Sequence, residues 1–339
     1  MLIRKNISLK RYNTFGLDYK AECMIIFKTE KDARAIFSGN IPVKKPLLII
    51  GGGSNLLFTG DFSGTILYPD FRGIRVEKDF GDTVIVSSGA GVNWDDLVEW
   101  TVNKGLGGLE NLSLIPGKVG AASVQNIGAY GVEVKDCIEK VRAIDIRSSK
   151  VRVFYADDCK FNYRDSIFKR ELKNRCLITR VYFKLSKVPR FTLDYGLVRE
   201  ETKNTGEISL KNIRQAIISI RSSKLPDPLV IGNAGSFFKN PLVSIETAKK
   251  LKTLYPAIPC YNDSGEKVKI SGGWLIEQCG WKGKRIGDAG VHSLQSLVLV
   301  NHGEATGRDI YDLSEKIRKS VLEKFGIELE REAEVIKPT

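Results

Sequence analysis

Residues 46–58 read PLLIIGGGSNLLF, an apolar run that enters three consecutive glycines and leaves as more apolar backbone. The pattern predicts a strand, a glycine turn and a second extended segment. The stretch matches neither of two common nucleotide-binding motifs. It lacks the Gly-Lys-Ser/Thr of a P-loop, and Leu56 stands where the dinucleotide-binding fingerprint needs glycine. Gly51 to Gly53, with Ser54 and Asn55, still form a concavity of backbone N–H groups suited to an anion. A plain tight turn between strands remains the alternative.

A second unusual stretch, residues 115–131, reads IPGKVGAASVQNIGAYG. Its four glycines and the small Ala121 and Ala122 allow the backbone to approach another group closely. Gln125 and Asn126 add amide donors and acceptors. A segment this long and this poor in large side chains is atypical of a plain surface loop.

Hydrophobic spacing predicts the regular elements around these two stretches. Apolar runs predict strands at 21–27 and 176–185 and a hairpin over 138–156, and the alternation in IELEREAEVI predicts a last strand over 327–336. Apolar residues at helical spacing predict helices beginning near 94, 210 and 307. Because strands dominate the first half without a regular βαβ alternation, the expected fold class is α+β.

A third stretch, residues 232–241, reads GNAGSFFKNP and holds a single hydroxyl, Ser236. A nucleophilic serine needs a base, and the chain has only two histidines, His292 and His302. The nucleophile-elbow pattern also fails, because Ala234 and Phe238 stand where it needs glycine. Taken alone, the motif is also compatible with a turn serine that hydrogen-bonds its own backbone.

Composition limits the function classes. The 339 residues carry a net charge of +13, spread without a run of basic residues, which favours anionic small molecules over a nucleic-acid groove. No apolar stretch reaches the length of a membrane span, and the N-terminus lacks a signal-peptide core, so a cytoplasmic protein is expected. The six cysteines form no C-x-x-C pair, and the sequence predicts no metal site.

The three stretches, in this order and spacing, closely resemble the UDP-N-acetylenolpyruvoylglucosamine reductase family of peptidoglycan precursor synthesis. Further matching pieces cover roughly residues 10 to 336, among them NTFG, FNYRDS, SSKLPDP, GWLIEQCGWKG and LERE. The resemblance implies a vanillyl-alcohol-oxidase-type FAD-binding fold with subdomains at 1–71 and 72–220, a substrate-binding domain at 221–325 and a strand at 326–339 that returns to the FAD-binding part. It also indicates the longer form of the family, with tyrosines matched by Tyr195 in LDYG and Tyr261 in PCYNDSG.

The resemblance implies that NADPH reduces bound FAD and that UDP-N-acetylglucosamine enolpyruvate then accepts the hydride from flavin N5 at its C3 carbon, giving UDP-N-acetylmuramate. Ser236 matches the proton donor to C2, which would explain why the chain has no base beside it. Arg164 matches a catalytic arginine, and its fork of donors suits a carboxylate that becomes an enediolate. Glu332 matches a catalytic glutamate that holds the enolate or relays a proton. A neutral serine is a weak acid, so Lys224 and Lys239 are candidate cations beside it.

The same resemblance assigns binding roles. The residues expected around FAD are Gly52, Gly53, Ser54, Asn55, Leu56, Gly117, Gly120, Ala121, Gln125, Asn126, Gly128, Tyr130 and Arg221. The residues expected around the substrate carboxylate and diphosphate are Tyr163, Tyr195, Lys224, Lys239, Asn240, Tyr261, Lys282 and Gln295. For each single lysine, simple surface solvation is the alternative.

One departure from the family lies near the C-terminus. The family typically reads L-E-P-E-V-R, whereas residues 329–334 read LEREAE, so Glu334 replaces an arginine. In a strand, Glu330, Glu332 and Glu334 would share one face, and their like charges would raise a carboxyl pKa. Glu334 is therefore a rival for the catalytic role, although the ungapped match favours Glu332.

Two other functions remain open at this stage. A related flavin oxidoreductase could act on an alcohol or hydroxy acid, but such an oxidation needs a base rather than a proton donor to carbon. A basic nucleic-acid-binding protein would lack flavin altogether.

Overall fold

The computed structural model describes residues 1–262 and 267–339. The first segment builds a four-stranded sheet in the order β1-β2-β5-β3, in which β1 is antiparallel to β2 and the other pairs are parallel. Its elements are β1 Leu2–Ser8, β2 Lys20–Phe27, α1 Glu30–Phe37, β3 Leu47–Ile49, β4 Leu56–Phe58 and β5 Phe62–Pro69.

The next segment forms a five-stranded antiparallel sheet in the order β11-β10-β12-β7-β6, followed by two packed helices. The elements are β6 Ile74–Asp79, β7 Thr83–Gly89, α2 Trp94–Asn103, α3 Val119–Gln125, β8 Gly128–Ala129, β9 Val132–Glu133, β10 Ile138–Asp145, β11 Val151–Tyr155, β12 Cys176–Ser186, α4 Val198–Thr205 and α5 Leu210–Lys224.

The last segment contains a four-stranded sheet, β13-β19-β18-β17, and a three-stranded sheet, β14-β16-β15. The elements are β13 Gly232–Ser236, β14 Leu242–Ser244, α6 Ile245–Leu254, β15 Cys260–Asn262, β16 Lys267–Ile270, α7 Gly272–Gln278, β17 Arg285–Ile286, β18 Ala289–Val291, β19 Val298–Asn301, α8 Gly307–Phe325 and β20 Glu334–Ile336. The PCYNDSG loop lies partly outside the described residues, because 263–266 fall between β15 and β16.

Among the described residues, two large apolar cores and two smaller ones hold these layers. In the first, α2 packs on the five-stranded sheet, and Trp94 meets Phe183 edge to face with ring centroids 6.1 Å apart. In the second, Phe237 and Phe238 are fully buried against α8, whose inward face includes Ile310 and Ile317. Burying a phenylalanine contributes about 1.5–3 kcal/mol, so these two side chains firmly fix the backbone just after Ser236.

The C-terminal strand returns to the first segment. β20 pairs in parallel with β4, and Glu334 N–H donates to the Asn55 carbonyl at 2.9 Å. The predicted strand over 327–336 is wrong in extent, because residues 328–333 are not in a strand and β20 begins only at Glu334. The domain boundaries drawn from the sequence stay a prediction.

No helix in the described part of the chain is both long enough and apolar enough to cross a membrane.

Candidate active site

Asn55 joins three of the sequence motifs. Its Nδ2 donates to Gln125 Oε1 at 3.0 Å and to the Glu332 carbonyl at 2.9 Å. Three segments that lie far apart in sequence therefore meet at one side chain. They are the glycine turn at 51–55, the small-residue stretch at 115–131 and the C-terminal LERE segment at 329–332.

The glycine turn and the small-residue stretch face each other across a cavity of about 180 Å³. A Cβ on Gly52 would lie 3.0 Å from the Gly117 Cα, so the two backbones come close together there. A Cβ on Gly120 would lie 2.8 Å from the Ala90 Cβ, so this glycine allows a close approach to the residue that follows β7. Two lysines, Lys169 and Lys173, also line the cavity. Small residues, amide groups and cations suit an anionic, diphosphate-bearing group, so the donor set fits FAD. We call this first cavity the diphosphate cavity, after the diphosphate of FAD. The predicted residues that line this cavity are Gly52, Gly53, Ser54, Asn55, Leu56, Gly120, Ala121 and Gln125.

Gly53 is the most constrained position of the turn. Its φ is +64°, and an added Cβ would lie 1.9 Å from the Tyr12 carbonyl oxygen. The NTFG piece packs here, because Thr14 N–H donates to the Gly53 carbonyl at 3.3 Å.

Gly53→Ala should therefore destabilise the fold and empty the cavity of flavin. The clash and the left-handed backbone together should cost about 4 kcal/mol or more. Gly39→Ala is the matched control, because Gly39 also has positive φ but open space around it, so only the backbone cost of about 1–2 kcal/mol applies. Thermal unfolding and flavin absorbance measure both effects, and equal losses in the two variants would contradict the steric account.

Arg164 is presented by a tight turn. Asn162 and Asp165 exchange backbone hydrogen bonds of 3.0 and 3.1 Å, and Arg164 between them has φ +52°, an uncommon value for a residue with a side chain. Asn126 Nδ2 donates to the Asn162 carbonyl at 2.8 Å, which ties the turn to the small-residue stretch. The Arg164 guanidinium donates to the carbonyls of Asn126 and Gly128, and its Nε lies 3.2 Å from Glu332 Oε1.

Glu332 is an unusual carboxyl. Burial raises its pKa, although the charges of Arg164, Lys169 and Lys239 lower it. Its side chain is 17% exposed, whereas those of Glu330 and Glu334 are 71% and 43% exposed. The expectation that three like charges on one strand face raise this pKa is wrong, because these residues do not share a strand and the cause is burial. Glu334 instead pairs with Lys173 at 2.7 Å on the wall of the diphosphate cavity.

Ser236 ends β13, next to the backbone of the segment that carries Glu332. The register of β13 against β19 shifts between Asn233 and Ser236, and Gly235 in the shift has φ +66° and donates to Asn233 Oδ1 at 2.9 Å. Such a bulge re-aims the next side chain, which explains the small residues before the serine. The Glu332 N–H donates to the Phe237 carbonyl at 2.8 Å, so the Ser236 segment runs alongside the segment that carries Glu332.

A second cavity, of about 280 Å³, has Arg164 on its wall. Tyr163 and Asn240 line it, and Lys269 Nζ lies 4.6 Å from the centroid of the Tyr163 ring. The cations and hydroxyls around it suit an anionic substrate. Of the residues predicted around the substrate, Tyr163, Tyr195 and Asn240 line this cavity, together with Arg164. Gly128 and Tyr130, which are expected around FAD, line this second cavity rather than the first one.

Arg221 lies at the edge of this region. Its Nε donates to the Leu114 carbonyl at 3.3 Å, and its guanidinium hydrogen-bonds the Tyr130 hydroxyl. Tyr130 in turn meets Tyr195 edge to face at 6.2 Å. These contacts connect the end of α5 to the small-residue stretch.

The remaining predicted residues are more scattered. Lys239 joins the Glu332 group and also pairs with Glu330. Lys224 is exposed at the end of α5, and Lys282 pairs with Glu277 at 3.0 Å outside both cavities. Tyr261 is 42% exposed, and Gln295 Oε1 accepts from Leu297 N–H at 3.4 Å. Their substrate roles stay predictions.

Sequence reasoning missed several charged residues of this site, among them Lys173 on the wall of the first cavity. Lys169 and Lys269 line the two cavities, and Glu133 Oε1 lies 3.8 Å from an Arg164 nitrogen. None of them stands at a position that a motif or a hydrophobic period marks. Only the close spacing of Lys169 to the FNYRDS piece could have suggested one of them.

Comparison with known proteins decides the family. The curated UDP-N-acetylenolpyruvoylglucosamine reductase from Bacteroides fragilis is 48% identical over 334 residues, covering 98% of this chain and all of the relative. The chain belongs to the UDP-N-acetylenolpyruvoylglucosamine reductase family. The family model for the C-terminal domain of this reductase matches residues 227–336, and an FAD binding domain model matches residues 21–154.

Further relatives agree with this membership. The reductase of that name from Pseudomonas aeruginosa is 46% identical over 332 residues, covering 97% of this chain and 98% of the relative. A crystal structure of the UDP-N-acetylenolpyruvylglucosamine reductase from Thermus caldophilus aligns with TM-score 0.70 at 24% identity, over 98% of this chain and 99% of that one, and shows the same fold. As a member of this reductase family, the chain is an FAD-dependent oxidoreductase, and the predicted α+β FAD-binding fold class is confirmed.

Proposed function

We propose that this chain reduces the enolpyruvyl ether of UDP-N-acetylglucosamine enolpyruvate, with NADPH as hydride donor, to give UDP-N-acetylmuramate. The observation that carries the proposal is the grouping of three elements: Arg164 on the wall of the second cavity, Glu332 at 3.2 Å from its Nε, and the Ser236 segment that runs alongside the Glu332 backbone. Bound FAD supplies the hydride chemistry between NADPH and the substrate C3 carbon.

Arg164 is proposed to bind the substrate carboxylate. Its guanidinium is held by two backbone carbonyls, so its direction is fixed before substrate arrives. A fixed cation beside the carboxylate stabilises the negative charge that develops there as C3 accepts the hydride. Pre-organisation of this kind needs no movement of dipoles during the reaction.

Glu332 is proposed to hold the enolate by donating a proton or a hydrogen bond. A second carboxylate placed against Arg164 would further favour the protonated form of a carboxyl whose pKa burial already raises. A protonated Glu332 leaves the Arg164 donors for the substrate and can itself donate. Ser236, on the adjacent strand end, then delivers its hydroxyl proton to C2.

The second cavity is proposed to take the UDP part. Lys269, Tyr163 and Asn240 offer one cation and several hydrogen-bonding groups on its wall. A strongly anionic diphosphate matches this set of groups better than the neutral alcohol of the alternative oxidation does.

The proposed function is tested with the purified yellow protein. We expect NADPH to be consumed only when UDP-N-acetylglucosamine enolpyruvate is present. The loss of NADPH absorbance in stopped flow measures this consumption. Protein that lacks flavin absorbance would favour the nucleic-acid-binding alternative. Flavin-containing protein that oxidises an alcohol but ignores the enolpyruvyl ether would favour the other oxidoreductase.

A further inference from the structure

Lys169 occupies the junction between the diphosphate cavity and the Arg164–Glu332 pair. It lines the cavity beside the glycine turn, and its Nζ donates to the Arg164 carbonyl at 3.1 Å. The residue follows the Arg164 turn by five positions, in the loop that leads to β12.

The bond from Lys169 is one of the bonds that hold the unusual backbone of Arg164 in place. Arg164 has a left-handed backbone, which a residue with a Cβ adopts only when its surroundings hold it there. The Asn162–Asp165 backbone bonds and Asn126 hold other atoms of this turn, whereas Lys169 holds the Arg164 carbonyl itself. An ammonium group on the Arg164 carbonyl thus fixes the turn that aims the guanidinium.

Lys169 also contributes charge that its neighbours do not cancel. The charged groups that face it are Lys239, Glu332, Asp165 and Glu330. Burial and the Lys239 charge lower the pKa of Lys169. Glu330 pairs with Lys239, and Asp165 lies 2.9 Å from Arg170. Throughout residues 1–262 and 267–339, no carboxylate forms an ion pair with Lys169.

The Glu332 carboxyl therefore has cations on several sides. The charged and titratable groups that face it are Arg164, Lys169, Lys239 and the Tyr163 hydroxyl, with Glu133 beyond Arg164. Burial raises the pKa of Glu332, and these three cations oppose that rise.

We propose that Lys169 is a positioning residue that fixes the Arg164 backbone and supplies part of the positive charge facing the Glu332 carboxyl. Its role in turnover rests on the proposed function, whereas its effect on Glu332 is a property of the protein alone. Removing the Lys169 charge disfavours the ionised carboxyl, so Glu332 should stay protonated to higher pH.

The test compares four lysine variants with the parent protein by infrared titration without substrate, and a fifth variant identifies the band. The band of the protonated Glu332 carboxyl is identified by its loss in Glu332→Gln. Lys169→Met removes charge and donor, Lys169→Gln keeps a donor but no charge, and Lys169→Arg keeps the charge. Lys160→Met, in the same loop but 60% exposed and paired with Glu171, is the matched control.

We expect the band to persist to higher pH in Lys169→Met and Lys169→Gln and to titrate as in the parent protein in Lys169→Arg and Lys160→Met. In the reductase assay, Lys169→Met should lower kcat about 10–100-fold with little change in KM, because the guanidinium is misplaced rather than lost. Lys169→Gln should lose less, since it can still bond the Arg164 carbonyl.

An unchanged titration in the neutral variants would overturn the inference, and if Lys169→Met does not fold, Lys169→Gln decides the outcome. Flavin absorbance and thermal unfolding identify a variant that is merely unfolded. If the parent protein does not reduce the enolpyruvyl ether, the proposed function is contradicted. The infrared titration is done without substrate, so its result for Glu332 does not depend on that outcome.

Discussion

Ser236→Ala should bind FAD and lose its flavin absorbance with NADPH, yet fail to recover that absorbance when the enolpyruvyl substrate is added. The hydroxyl lies at the end of β13, beside the C-terminal segment rather than in the diphosphate cavity, so cofactor binding should be unaffected. Loss of a general acid typically slows its step by about 10²–10⁴-fold. The defect should therefore appear only in the half-reaction that protonates carbon.

Stopped-flow absorbance separates the two half-reactions of the Ser236 variant. Ser38→Ala is the control, because Ser38 is a weakly bonded residue at the end of α1, in the first sheet segment. Normal recovery of absorbance in Ser236→Ala would sink the assignment of this serine as proton donor. Slow reduction by NADPH in the same variant would show instead that the bulge in β13 supports the cofactor.

Glu332→Gln should lose turnover by about 10²–10⁴-fold, a loss in the range expected for an acid–base group. Glutamine preserves shape but can no longer carry or release the proton, and it leaves Arg164 without its carboxyl partner at 3.2 Å. Flavin content and folding should be retained, because the segment is held by its backbone bonds to Phe237 and Asn55.

Glu334→Gln is the matched comparison for the Glu332 variant. Glu334 is 43% exposed and pairs with Lys173 on the diphosphate cavity wall, so its loss should change FAD affinity more than turnover. Removing a negative charge near the diphosphate should tighten FAD binding, which a fluorescence titration measures. If Glu334→Gln were the inactive variant and Glu332→Gln the active one, the catalytic role would be assigned to Glu334 instead of Glu332.

Local patterns predicted most regular elements. The apolar spacing in 307–325 is that of one helical face, and Ile310, Leu313, Ile317 and Val321 are all buried as expected. The hairpin over 138–156 is confirmed as β10 and β11. The conformation of such elements depends mainly on residues close together in sequence. The spacing of their apolar residues is therefore enough to identify them.

Features that depend on long-range contacts could not be predicted in the same way. α3 lies inside a stretch too rich in glycine and alanine to show an apolar face, and it forms where Gly120 packs against Ala90. β20 is shorter than its alternating sequence suggests, because only Glu334–Ile336 has β4 as a partner. Lys169 acquires its position from a bond to the Arg164 carbonyl, which no sequence pattern encodes.

The return of β20 to β4 has a consequence for synthesis on the ribosome. The glycine turn and the small-residue stretch are translated long before residues 329–336, so the FAD-binding segments emerge without the Glu332 carboxyl. The nascent chain thus has its cofactor-binding segments before it has the carboxyl that we propose handles the proton. Acquisition of Glu332 and completion of the last strand pairing are one late event in the making of this enzyme.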